Sequence, residues 1–261
     1  MFWLLALMGM AAAGTMVMTG EDSDDDDRPE PTQLDDDVER IDLSDIDPNL
    51  TGELISGSDG DDVMFGGGGT DLMFGNQGND QLIGGSGNDI LVDDEGSDTL
   101  TGDGGDDLLF GAGLLDVDGL QGMFDNPPVT VSGLASAIAG SFDGTMTDTD
   151  DDPDTLDGGD GDDTIFGGSG DLMIGGAGSD LFIGGEYVEP GAPVTVLDFN
   201  PGEDILVYAT ETGEAGDLSI SYAGEPGEED AIISDGNQHV MTVRGVGTLF
   251  TLDDVMTLNQ T

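Results

Sequence analysis

The sequence predicts an all-β chain whose centre is a solenoid of short, stacked parallel strands. Three observations predict it. A nine-residue unit recurs in register from Gly57 to Phe110 and returns over Asp154–Gly185. Each unit joins a glycine-rich half to a short alternating apolar half, too small to bury a core unless many copies stack. Beyond the units, short apolar stretches are separated by turn-forming pieces. The N-terminal end reads differently, as a hydrophobic helix over 1–20 and a disordered acidic linker over 21–53.

Composition sets the conditions under which such a chain can fold. It holds 58 acids, three Lys or Arg in all (Arg28, Arg40 and Arg244), and a net charge of −55. A compact state with that charge repels itself unless a cation offsets it. Nucleic acid is excluded as a partner, because no basic surface exists to meet phosphate. There is no cysteine and only one histidine, His239. Disulfides and thiolate sites are therefore impossible, and zinc lacks its usual ligands. The abundant oxygen ligands suit a hard cation such as calcium.

Met1–Gly20 (MFWLLALMGMAAAGTMVMTG) carries no charged side chain and is long enough to span a bilayer core of ~30 Å as a helix. Three readings fit it: an uncleaved anchor, a buried helix, or a secretory signal. The signal would have Phe2–Met10 as its apolar core and Ala11–Ala13 as its small-residue site. Residues 21–53 are hydrophilic, with blocks of like charge, the signature of a solvated spacer.

Residues 54–110 form the first repeat block, and the units from Gly57 are GSDGDDVMF, GGGGTDLMF, GNQGNDQLI, GGSGNDILV, DDEGSDTLT and GDGGDDLLF. Position four is glycine in all six. Position six is Asp in all six: Asp62, Asp71, Asp80, Asp89, Asp98 and Asp107. Position eight is apolar throughout: Met64, Met73, Leu82, Leu91, Leu100 and Leu109. Glycine at positions one and four is expected to supply dihedrals that residues with a Cβ avoid. The loop can then curl and turn carbonyl oxygens inward beside the Asp carboxylate. Position eight points to the core, and its neighbours point away, as in a strand. Calcium takes six to eight oxygens, more than one loop offers but within reach of two stacked loops.

Residues 111–153 interrupt the pattern, with VSGLASAIAGSF (131–142) readable as a short helix. The second block, 154–185, supplies Asp154, Asp163, Asp171 and Asp180, with Leu156, Ile165, Met173 and Phe182 at position eight. It contains one unit of eight residues, GGSGDLMI (167–174), where a distorted or weak site is expected. In the first block DDEG (93–96) puts Asp93 and Asp94 in place of the leading glycines. Over 186–261, strands are expected at VTVLDF (194–199), DILVYA (204–209), LSISY (218–222), AIIS (231–234), HVMTV (239–243) and TLFTL (248–252).

The units resemble the GGxGxDxUx nonapeptide of RTX proteins, a calcium-binding repeat. The resemblance implies a parallel β-roll with two repeats per turn, so that every second loop stacks on the same edge. It implies calcium held between stacked loops by Asp carboxylates and glycine-loop carbonyls. Carried over by position, Asp62, Asp80 and Asp98 line one edge and Asp71, Asp89 and Asp107 the other. Asp154, Asp163, Asp171 and Asp180 follow in the second block. The loop glycines are Gly60, Gly69, Gly78, Gly87, Gly96, Gly105, Gly161, Gly170 and Gly178. Roughly four to six calcium ions result, about four of them in the first block. The stretch VTVLDFNPGEDILVYA (194–209) resembles the segment that follows the repeats in type I-exported RTX proteins, the serralysin metalloproteases among them. It implies a C-terminal β cap over 186–261 carrying an export signal, and so type I secretion machinery as a partner.

Nothing in the sequence points to catalysis. There is no H-E-x-x-H helix, no G-x-S-x-G elbow and no thiol nucleophile. His239 lies on an expected strand, QHVMTVRG, as a structural residue. The expected function is a non-catalytic, secreted or surface-associated calcium-binding repeat protein that folds outside the cell. Two other readings remain: an adhesin or matrix component with a cell-surface partner, using the roll surface or residues 111–153, and a hydrolase with an unrecognised carboxylate site. Membrane contact is confined to residues 1–20.

Overall fold

The computed structural model describes residues 39–42, 52–93, 95–112, 152–210, 217–225 and 229–259. The hydrophobic segment 1–20, most of 21–53, and all but the ends of 111–153, with its expected helix, lie outside them. Before the insert the chain runs β1 (Glu39–Asp42), β2 (Glu53–Ser56), β3 (Val63–Gly68), β4 (Leu72–Phe74), β5 (Gln81–Ser86), β6 (Ile90–Val92), β7 (Thr99–Gly104) and β8 (Leu108–Phe110). After it come β9 (Thr155–Asp160), β10 (Thr164–Phe166), β11 (Leu172–Ala177), β12 (Leu181–Gly185), β13 (Val194–Val196) and β14 (Ile205–Thr210). The chain ends with β15 (Leu218–Ala223), β16 (Asp230–Asp235), β17 (Gln238–Val243) and β18 (Val255–Asn259).

The strands form two nine-stranded sheets, β1-β2-β4-β6-β8-β10-β12-β14-β18 and β15-β16-β17-β13-β11-β9-β7-β5-β3. Each repeat contributes one strand, and consecutive repeats alternate between the sheets. Two repeats therefore make one coil of a parallel β-roll. Val63 sits beside Gln81 and Leu72 beside Ile90, a register of two repeat units. Across the insert, Thr99 pairs with Thr155 and Leu108 with Thr164, with no loss of alignment. The eight-residue unit shortens the register by one, as in Thr155 beside Leu172 and Thr164 beside Leu181.

The core is a column of position-eight side chains between the sheets. Met64, Met73, Leu82, Leu91, Leu100, Leu109, Leu156, Ile165, Met173 and Phe182 are all fully buried in it. A single coil has too little apolar surface to form a core alone, which is why stacking and folding are one event. The alternation differs between the sheets. On the β4 side the flanking Leu72, Phe74, Ile90, Val92, Leu108 and Phe110 are buried too, and Phe110 stacks on Phe166 at 4.6 Å. Local pattern does not distinguish the two sheets; only tertiary placement does.

Glycine does two separate jobs. Positive φ occurs at positions two and four, rather than at one and four as expected: Gly85 has φ 109° and Gly87 φ 132°. Asn76 and Asp103 hold position two with φ 76° and 70°, a region that short polar side chains tolerate. At position one the dihedral is ordinary and the constraint is space. A Cβ on Gly102 would lie 2.2 Å from Asp107 Oδ2 and 2.5 Å from the Gly158 carbonyl oxygen.

Two expectations at the ends need correction. ERID, within the stretch read as linker, forms β1 and pairs antiparallel with β2. An exposed strand edge holds unpaired N–H and C=O groups that a passing segment can satisfy, whatever its composition. TLFTL (248–252) is not a strand. Gly247–Leu249 and Leu252–Asp254 are short 3₁₀ turns, the second closed by a Thr251–Asp254 capping box. Phe250 is buried between them, edge-on to Phe199 with ring centroids 5.4 Å apart, so its apolar character serves as a plug. The last strand is instead β18, which extends the first sheet in parallel with β14.

Candidate metal centre

The position-six aspartates form two ladders, one along each edge of the roll. From Asp80 on one edge and Asp89 on the other, each Asp Oδ1 accepts a hydrogen bond from the backbone N–H of the Asp one coil earlier. On one edge Asp62 N–H donates to Asp80 at 2.8 Å, Asp80 to Asp98 at 2.7 Å, Asp98 to Asp154 at 2.8 Å and Asp154 to Asp171 at 3.0 Å. On the other, Asp71 donates to Asp89 at 2.8 Å, Asp89 to Asp107 and Asp107 to Asp163 at 2.7 Å, and Asp163 to Asp180 at 3.0 Å. All ten expected aspartates are thus brought together, each no more than 3% exposed.

The second oxygen of these carboxylates is the anomaly. Asp62 Oδ1 and the Oδ2 atoms of Asp80, Asp89, Asp98, Asp107 and Asp163 are buried and find no hydrogen-bond donor. A buried charged oxygen with no partner is among the costliest features a fold can hold. Burial accordingly pushes the carboxyls of Asp80, Asp89 and Asp107 up, against the pull of the N–H from the neighbouring coil, with nearby carboxylates adding to the rise. Asp80 and Asp89 reach about 7 and Asp107 about 8. For Asp163, pushed to about 6, burial again leads. The interior units therefore present stacked, dehydrated, orphaned oxygens in glycine-walled loops, the donor chemistry that suits calcium. Magnesium, which sheds water reluctantly, suits such loops less well.

The loop glycines divide. All but Gly60 take positive φ, and Gly78, Gly87, Gly96, Gly105, Gly161 and Gly178 stack against the preceding coil's loop. A Cβ on Gly87 would fall 1.6 Å from the Gly69 carbonyl oxygen. Gly60 has no loop beneath it, and Gly170 faces Pro153 instead of a glycine loop. At that shortened unit, Gly168 N–H donates to Asp171 Oδ2 at 2.6 Å, so a local donor takes up an oxygen of the kind left orphaned in the interior units.

Three sets of residues escaped the sequence reading. Asp204, in the NPGED turn, adds a rung: its Oδ1 accepts from Asp180 N–H at 3.1 Å and its Oδ2 from Asn200 N–H at 2.6 Å. Position five carries an outer ladder, in which Asn79 N–H donates to Asp61, Ser97 to Asn79, Asp162 to Asp106 and Ser179 to Asp162. The recurrence of short polar residues at position five was the available signal. Asp93, which the sequence shows only as a departure from the motif, is buried, and its carboxylate groups with Asp80 and Asp98, one oxygen of each lying within 4.8 Å of the others. His239 Nε2 lies 3.0 Å from the Met241 carbonyl and 2.9 Å from Thr242 Oγ1, within its own strand.

Comparison with known proteins follows the same line. The RTX calcium-binding nonapeptide repeat matches four stretches, 50–82, 83–116, 148–171 and 171–186. No curated protein matches the chain. Similar solved structures include a subunit of the Azotobacter vinelandii mannuronan C5-epimerase, 15% identical over 78% of this chain and 76% of that one, TM-score 0.23. Another is the extracellular lipase LipA from Serratia marcescens, 17% identical over 77% of this chain and 39% of that one, TM-score 0.28. The chain thus spans well under half the length of the lipase. Its two repeat blocks match the RTX calcium-binding nonapeptide repeat over 50–116 and 148–186 and fold as a parallel β-roll.

Proposed function

We propose that the protein is a non-catalytic module, secreted or held at a cell surface, that orders when calcium enters between its coils. The observation that carries this reading is the stack of buried, donorless carboxylate oxygens. In this reading the ligands are Asp62, Asp80, Asp98, Asp154 and Asp171 on one edge and Asp71, Asp89, Asp107, Asp163 and Asp180 on the other, with carbonyls of the glycine loops completing each shell. Gly60, the end rung with no loop beneath it, and Gly170, which faces Pro153, mark the weakest positions. Calcium supplies the positive charge and oxygen coordination that the orphaned carboxylates lack. The chain's own residues preset the spacing, exclude water and, at Asp80, Asp89, Asp98, Asp107 and Asp163, hold Oδ1 in a backbone hydrogen bond while leaving the other oxygen for the ion.

An extracellular setting follows from the same balance. Without the ion, dehydrated carboxylates and the overall charge oppose folding. Calcium sites of extracellular type fill at ~10⁻⁴–10⁻³ M, so the chain stays unfolded and export-competent where calcium is scarce. Among the described residues no helix is long and apolar enough to cross a membrane. The non-catalytic reading rests on the commitment of the position-six carboxylates to the ladders and of His239 to its strand. The test is far-UV circular dichroism with small-angle scattering on the full chain. Millimolar calcium is expected to give a compact, strand-rich particle and EDTA an expanded coil. Identical spectra and radii in the two buffers reject the proposal.

A further inference from the structure

We infer that Asp80, Asp93 and Asp98 form a three-carboxylate cation site, unlike the rest of the ladder, that takes up calcium first. The inference rests on the calcium-binding reading above and adds a ranking to it. Asp93 stands at position one, where the repeat otherwise has glycine, and it is 1% exposed. Its backbone keeps the ladder geometry of the glycines it replaces: Asp93 N–H donates to the Phe110 carbonyl at 3.0 Å, as Gly75 N–H does to Val92. The substitution therefore leaves the coil in place and adds a buried side chain to its edge.

That side chain enters a space already lined by two carboxylates with an orphaned oxygen each. Asp80 and Asp98 are 3% and 2% exposed, and the Oδ2 of each finds no donor. One oxygen from each of the three residues lies within 4.8 Å of the other two. Ionised carboxylates cannot donate to one another, so a bound cation relieves their proximity. Gly75 makes the room: a Cβ there would fall 2.1 Å from Asp93 Oδ2 and 2.6 Å from Asp80 Oδ2. Among the described residues this is the only trio of carboxylates so placed. A third negative charge within a few ångströms of a buried divalent ion strengthens its hold far more than the same charge in solvent. Burial also demands that the ion shed water, which favours calcium over magnesium.

Asp103 provides an internal control. It also replaces a motif glycine, at position two, but is exposed with φ 70°. Asp93→Gly and Asp103→Gly each remove one charge and restore the motif, yet only the first removes a buried oxygen beside Asp80 and Asp98. The experiment is calcium binding to the full chain by equilibrium dialysis, with circular dichroism at saturating calcium to verify folding. Wild type is expected to fill about one ion ahead of the others. Asp93→Gly and the near-isosteric Asp93→Asn should weaken that first ion about tenfold or more, while Asp103→Gly leaves it in place. Superimposable isotherms for wild type and both Asp93 variants, or an equal loss in Asp103→Gly, overturn the inference while the calcium reading stands. A wild-type chain that binds no calcium overturns both.

Discussion

Gly102→Ala separates space from conformation as the reason for glycine at position one. The Gly102 backbone has no positive φ, so an alanine there meets no dihedral penalty. It meets atoms instead. The added Cβ would sit 2.2 Å from Asp107 Oδ2 and 2.5 Å from the carbonyl oxygen of Gly158, where real Cβ contacts essentially never fall below 3.0 Å. The carboxylate could swing aside, but that removes it from the ladder. The Gly158 carbonyl belongs to the stacked coil and cannot move alone. Overpacking of this kind costs about 1–3 kcal/mol. If folding and binding are coupled as proposed, the loss is shared across the ions taken up. Spread over about four of them, it raises the calcium midpoint roughly 1.5- to 4-fold. Gly68→Ala is the matched control, since its Cβ would meet only the Ser86 carbonyl oxygen, at 3.9 Å, and its φ is not positive. The assay is a calcium titration followed by far-UV circular dichroism. A midpoint for Gly102→Ala equal to that of Gly68→Ala refutes the steric argument.

Three further outcomes are expected. The folded-state carboxyls of Asp80, Asp89 and Asp107 lie at about 7, 7 and 8, above their ordinary 3.8, so the metal-free fold binds more protons than the unfolded chain between those limits. Its stability is greatest below pH ~4 and is lost as pH rises toward 8; in EDTA, strand content should be higher at pH 5 than at pH 8, and a fall on acidification contradicts this. Asp107→Asn keeps an oxygen for the Asp89 N–H but removes a buried charge, so it should raise the calcium midpoint while making the metal-free chain more compact by scattering. Asp204→Ala removes the acceptor of two N–H groups, those of Asp180 and Asn200. It should destabilise the calcium-loaded roll by about 1–3 kcal/mol in urea melts, and an unchanged melt removes Asp204 from the ladder.

Most of the repeat architecture was legible because it is a matter of period. Asp at position six and an apolar residue at position eight, recurring in every unit through Phe110, place one group on an edge and the other in the core of any regular coil. Less legible were features set by neighbours distant in sequence. Asp93 reads locally as a flaw in the motif, yet its partners Asp80 and Asp98 make it part of a cluster. Asp204 lies in what reads as an ordinary Pro-Gly turn and gains its role only because Asp180 N–H arrives there. TLFTL has strand composition, but Phe250 is drawn into the core against Phe199 and the chain turns around it.

The sequence by itself determined the coil: its length, the residue that lines each edge, the residue that faces the core and the positions that exclude side chains. These follow from repetition, since a unit that cannot bury its own apolar face must meet an identical unit one turn away. The tertiary structure alone decided where the column ends, which coil carries an extra carboxylate and which sheet is covered on both faces. Those outcomes depend on contacts between partners a full coil apart, as Thr155 and Leu172 are, or separated by the whole insert, as Thr99 and Thr155 are. No local window of sequence contains both partners.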